Sequence, residues 1–125
     1  EMPQIAENMI DVNHWYDPSS ASGQAMRTRT EADGKYFTFE VYCAYMSILF
    51  LVDGFERAGS TDKEAVNAAL ASSTLSVDFM PYGPTKMVNG QNMGSRAVAI
   101  QAQKGDVEVI APASYASASA IFPRS

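Results

Sequence analysis

One histidine, one cysteine and one tryptophan in 125 residues leave little material for the commoner catalytic chemistries. His14 has no His or Cys at metal-ligand spacing, so a zinc-type site would need Asp11, Asp17 or other distant carboxylates. It reads more simply as an interfacial strand histidine. Cys43 has no partner for an internal disulfide and no histidine near it in sequence to activate a thiolate. Within an apolar run it reads as a small buried thiol. Ser72, Ser73 and Ser117 lack the G-x-S-x-G setting of a hydrolase nucleophile. Gly83, Gly90 and Gly94 are spaced by turn residues, forming neither a dinucleotide fingerprint nor a phosphate-binding loop. Asp62 and Glu64 are accounted for by helix capping and the helix dipole. The sequence offers no cofactor site and no enzyme reading.

Basic residues are scarce as well. Nine Lys and Arg against fourteen Asp and Glu give a net charge of −5, without the cationic clusters that neutralise a phosphate backbone. Nucleic acid is therefore not the expected partner. The chain opens on Glu1 rather than Met and carries no visible signal peptide, which leaves a mature product, an engineered piece and a fragment all open. No stretch reaches the roughly 20 mostly apolar residues of a membrane span free of flanking charge.

What is plentiful is apolar and aromatic material: 46% hydrophobic residues, with six Tyr and six Phe. That suits one folded domain with a modest core. Its centre is the stretch from Thr38 to Gly59. Apolar residues at 41, 44, 45, 48, 49, 51, 52 and 55 follow the i, i+3, i+4, i+7 recurrence of a helix. A helix this apolar is expected to lie buried against a sheet or under other helices, and Gly59 is expected to stop it. Ser60 to Glu64 then starts a second helix, running to about Ala71, with Thr61 and Glu64 at the spacing of a capping box.

Ahead of this unit, a polar start containing Pro3 leads to Met9–Tyr16, read as a short strand ending at the Asp17-Pro18 turn. Ser19 to Gly23 reads as loop, Gln24 to Ala32 as helix, and Gly34 as its stop. Beyond the unit, Leu75 to Met80 reads as a short extended segment and Pro81-Tyr82-Gly83-Pro84 as a turn. Asn89-Gly90 is the strongest hairpin signal, with arms in 85–88 and 91–93. Ala97 to Gln103 alternates Val98, Ile100 and Ala102 against Ala99, Gln101 and Gln103. After the turn at Lys104-Gly105-Asp106 a second strand runs from Val107 to Ala111, and Pro112 ends it. Residues 113–120 read as a small, polar, surface-hugging tail, up to Ile121-Phe122-Pro123. By element order alone this is an α+β chain. The aromatics Trp15, Tyr16, Tyr36, Phe37, Phe39 and Tyr42 cluster where loops meet the long helix. Core packing accounts for them; the sharper alternative is that one or two line a cleft for a small organic ligand.

The order of these motifs resembles the C-terminal portion of leucine/isoleucine/valine-type solute-binding proteins of ABC transporters. Trp15-Tyr16-Asp17-Pro18 stands where that family has an extended "w-x-p" segment, and Tyr42 to Leu49 stands at its "a-Y-d-a-v" helix. Phe55 to Asp62 is similar to its "e-r-A-G-s-x-D" corner and Ala65 to Leu70 to its "a-v-x-x-A-L" helix. Gly83-Pro84, Gly90-Gln91-Asn92 and Val98 to Pro112 follow in the family's order, so the likeness covers about residues 13–112.

The resemblance implies an α/β fold: part of a type I periplasmic-binding-protein fold with two Rossmann-like lobes, here as helices plus C-terminal hairpin strands. Residues 1–125 would be one partial C-terminal segment of it. A small organic solute, an amino acid or an aromatic or aliphatic acid, would sit in the cleft between lobes that close by hinge motion. An ABC permease would be the protein partner, the location periplasmic, and no cofactor would be needed. By position, Glu40 and Tyr42, with Phe39 adjacent, would face the cleft. Met46 stands where the family's helix usually has Asp, which puts any role of that Asp in doubt. The lobe that grips an amino acid's carboxylate and amine is not in this sequence, so a chain of this length is expected to bury its long helix poorly and to form homo-oligomers or exchange strands. Two other readings use the same residues: a ligand-sensing receptor domain of that fold, and a stand-alone α+β interaction module.

Overall fold

In the computed structural model, residues 6–122 are described, and the expectations at Glu1, Pro3 and Pro123 lie outside them. The chain runs β1 (Ile10–Asn13), α1 (Ala21–Ala32), α2 (Phe39–Ala58), α3 (Lys63–Ala71), β2 (Met87–Val88), β3 (Gln91–Asn92), β4 (Val98–Gln103) and β5 (Asp106–Ala111). Helix and sheet are mixed. One antiparallel sheet has the order β1-β4-β5, and β2 and β3 form a separate hairpin.

Helix α1 starts earlier than the expected Gln24. Ser20 accepts the Gly23 N–H at 3.1 Å while its own hydroxyl donates to Asp78 at 2.8 Å. A hydroxyl that caps locally and bridges to a distant carboxylate turns the small residues 21–23 into a first helical turn. Helix α2 ends as its sequence requires: Gly59 takes a left-handed φ of 58°, and its N–H reaches the Phe55 and Glu56 carbonyls. The start of α3 differs from the capping-box expectation by one residue. Asp62, not Thr61, is the cap, and its Oδ1 accepts the N–H groups of Glu64 and Ala65, each at 3.0 Å. Segment 75–80 forms no strand; it turns, with Met80 N–H bonded to the Val77 carbonyl. The Asn89-Gly90 hairpin forms with positive φ at both residues, though each arm is two residues long.

The core is built from Trp15, Tyr16, Phe37, Tyr42, Phe79, Val98 and Val109. Phe37 stands edge-on to both Trp15 and Tyr16, with ring centres 5.3 Å apart in each case. Trp15 and Tyr16 lie beyond the end of β1 rather than inside a strand reaching Tyr16.

The long helix is not buried all along its apolar stripe, in keeping with the poor burial expected of a chain of this length. It faces the core through Tyr42, with Val41, Cys43, Met46 and Leu49 packed alongside, and it approaches α3 through Gly54. Ala44, Tyr45, Ile48, Leu51, Val52 and Phe55 remain exposed. The helix is apolar around most of its circumference, and the described elements cover only one side of it. The glutamine-bearing face of β4 is covered as well. Gln101 and Gln103 are buried because residues 119–121 lie across them. Gln101 Nε2 donates to the Asn8 and Ile121 carbonyls, and its Oε1 accepts the Ile121 N–H at 2.9 Å. Gln103 donates to the Ser119 carbonyl at 2.9 Å. The two glutamine amides give the backbone of the tail hydrogen-bond partners and hold it against the sheet.

Candidate functional site

A concavity lies between the C-terminal half of α1, the loop joining α1 to α2, and the β4–β5 turn. It is an open groove of about 610 Å³, lined by Arg27, Glu31, Lys35, Tyr36, Phe37 and Thr38 on one side and by residues 105–107 on the other.

Its floor is fixed by Arg27. The guanidinium donates to Glu31 Oε1 at 2.8 Å, one helical turn ahead on α1, and to Asp106 Oδ1 at 2.5 Å in the β4–β5 turn. Burial lowers the pKa of Arg27, but its hydrogen bonds to Asp106 and Glu31 outweigh that and hold it firmly protonated. Asp106 Oδ1 also accepts the Val107 N–H at 2.7 Å. Arg27 thus ties the helix to the sheet, and both its carboxylate partners are already engaged. Lys35 forms no ion pair among the described residues and is exposed on the loop. Of the cations lining the groove, it is the one without an ion-pair partner. Tyr36, 79% exposed, supplies an aromatic face beside it, and Thr38 a hydroxyl that makes no capping bond to α2.

The aromatic cluster therefore divides between its two readings. Trp15, Tyr16, Phe37 and Tyr42 are core; Tyr36 stands on the groove, and Phe37 also contributes to its lining. Of the three residues that the resemblance places at a cleft, Tyr42 is buried, with its ring edge-on to Phe79 at 6.3 Å, and does not line the groove. Burial and the neighbouring Cys43 push its hydroxyl up to about 12. Phe39 and Glu40 are exposed on the first turn of α2, directly after Thr38, and neither lines the groove. Lys35 and Arg27 carry no signal in the sequence beyond their places in a loop and a helix, because only the β4–β5 turn, some seventy residues away, completes the groove.

His14 follows β1 half-buried, its N–H bonded to Asn13 Oδ1 at 2.8 Å. Among the described residues no three His, Cys, Asp or Glu side chains come together as metal ligands, and no helix is long and apolar enough to cross a membrane.

No protein-family model matches the chain, and no curated protein matches it.

Proposed function

We propose that this chain is the C-terminal part of the solute-binding component of an ABC uptake transporter, of the leucine/isoleucine/valine-binding type. On this reading it works at the extracytoplasmic face, delivers a small apolar or aromatic amino acid or organic acid to a permease, and performs no chemistry. The finer fold it implies is one portion of a two-lobed, Rossmann-like periplasmic-binding-protein fold. Support comes from the ordered motifs between residues 13 and 112.

The observation that carries the reading is the groove itself. An uncommitted ammonium at Lys35, an aromatic face at Tyr36 and a free hydroxyl at Thr38 converge on one opening. A few polar groups against aromatic walls is the usual make-up of a small-ligand site. The ammonium suits a carboxylate and the ring an apolar side chain, which together select an amino acid or an aryl acid.

The test is calorimetric titration of the chain with leucine, phenylalanine, phenylacetate and benzoate, with glucose as the uncharged control. One wall of a cleft should bind an acid weakly, with Kd on the order of 1 mM. Lys35→Ala should weaken that binding about tenfold or more, as expected for loss of a charge-assisted hydrogen bond. Lys35 is exposed, so the variant keeps the fold. Indifference of every acid, or equal binding by the variant, contradicts the reading.

The exposed stripe of α2 also favours a second reading, a stand-alone α+β interaction module. It predicts no solute binding and a protein partner seated on α2.

A further inference from the structure

We propose that the exposed stripe of α2 is an antiparallel seam between two copies of this chain. The inference stands on the helix alone and is independent of the solute-binding reading. Tyr45, Ile48, Leu51, Val52 and Phe55 lie on one side of α2 with 44, 59, 46, 45 and 44% of their surface exposed, and Ala44 sits among them. Their spacing is that of a coiled-coil seam. Val41, Ile48 and Phe55 repeat every seven residues, and Ala44, Leu51 and Ala58 repeat every seven between them. Val41 and Ala58 at the two ends are half-buried within the chain itself.

Size decides the orientation. Lay a second α2 antiparallel so that Ile48 meets Leu51 of the other copy. Phe55 then meets Ala44, and Val41 meets Ala58, so each large side chain opposes a small one at the flanking layers. A parallel pair would set Phe55 against Phe55 and Ala44 against Ala44, a collision at one layer and a hole at another. The pattern is self-complementary only about a two-fold axis near the helix centre, which is the requirement of an isologous dimer.

Area and charge agree with a second copy as occupant. The five large side chains alone expose on the order of 500 Å², the size of the largest apolar patch on a typical monomer, which is often functional, and more than half of the ~800 Å² per partner in a standard interface. Only Glu40 and Glu56 carry charge at the margins of the stripe. They lie on opposite flanks and at opposite ends of the helix, so the two-fold brings no carboxylate against its own copy. The Asp53 and Arg57 pair faces α3 instead, bonded at 2.9 Å, with Arg57 also reaching Ser72.

The test is light scattering on the full chain at tens of micromolar, where a species of twice the 13.5 kDa chain mass is expected. Ile48→Lys and Leu51→Glu, both at exposed positions, should each give a monomer with unchanged circular dichroism. Mixing the two variants should restore a dimer, because the antiparallel layer brings the introduced ammonium against the introduced carboxylate. A parallel pair would not. A monomeric wild-type chain overturns the proposal. A dimer that survives both substitutions overturns it in favour of another surface, such as the exposed Met9, Ile10 and Val12 on and beside β1. Monomeric variants that fail to pair on mixing overturn the antiparallel register.

Discussion

Gly54→Ala should destabilise the protein even though it improves the helix. Gly54 lies in the interior of α2, where alanine is favoured over glycine by about 1 kcal/mol from backbone entropy. Against that stands the closest approach of α2 to α3. A Cβ built at Gly54 would sit 2.5 Å from Leu70 Cδ2 and 2.9 Å from Leu70 Cγ. The clash involves the branch point of the leucine, so a rotation of its methyl groups cannot relieve it. Helix α3 cannot simply retreat, because Arg57 donates to the Ala69 carbonyl and Ser73 to Asp53 across the same junction. Overpacking of this kind costs about 1–3 kcal/mol, which leaves a net loss of about 1 kcal/mol after the propensity gain. The assay is urea denaturation followed by far-UV circular dichroism, at one protein concentration because self-association shifts apparent stability. In a Leu70→Ala background the obstruction is gone, and the same substitution should become stabilising by about 1 kcal/mol. A stabilising Gly54→Ala in the native background, or the same sign in both backgrounds, refutes the close approach.

Three further outcomes follow from buried or bonded groups. Burial, with Cys43 beside it, raises the folded pKa of Tyr42 to about 12, against about 10 in an unfolded chain. Its neutral form is the one the fold favours, so this support is complete below about pH 10 and fades as pH rises towards 12, by about 2–3 kcal/mol in all. Urea midpoints across that window should fall less steeply for Tyr42→Phe, and an unchanged slope contradicts this. Hydrogen bonds from Ser22 and then Ser20 hold the Asp78 carboxyl below the usual range, outweighing its desolvation. That support is present above about pH 4 and lost as pH falls through the depressed value, so Asp78→Asn should flatten the acid limb of the stability profile. A limb as steep as before would deny the bridge to the α1 cap. Burial, then Glu40 nearby, pushes the Cys43 thiol up, so the native chain should react slowly with thiol reagents at neutral pH and the unfolded chain faster. Equal rates would contradict a protected thiol.

Local signals were legible in the sequence wherever one residue settles a backbone choice. Gly59 ends α2, Asn89-Gly90 makes the β2–β3 hairpin, and the alternation from Val98 onward gives β4 and β5. What the sequence left hidden depends on distant partners. Ser20 caps α1 with Asp78 behind it, fifty-eight residues on. Gln101 and Gln103 look solvent-facing by alternation, yet they are buried because the tail at 119–121 returns to them. The periodicity of α2 marked an apolar stripe correctly and could not say which part of it the chain would cover; the structure uses the Tyr42 side and leaves the Ile48 side bare. The proposed groove was the least legible feature. Position in a resembling motif points to Phe39, Glu40 and Tyr42, none of which lines it; the groove opens a few residues earlier, at Lys35 to Thr38. Tyr42 was drawn into the core by Phe79, an aromatic in a segment that reads from sequence as a plain extended stretch.

Binding of a small organic acid in this groove would be read in the amide chemical shifts of isotope-labelled chain, followed by NMR as phenylalanine or phenylacetate is added. Saturable changes are expected at residues 34–38 and 105–107, reduced in Lys35→Ala, with the tail at 119–121 unaffected. Shifts absent at saturating acid, or centred on another surface, would contradict the proposal.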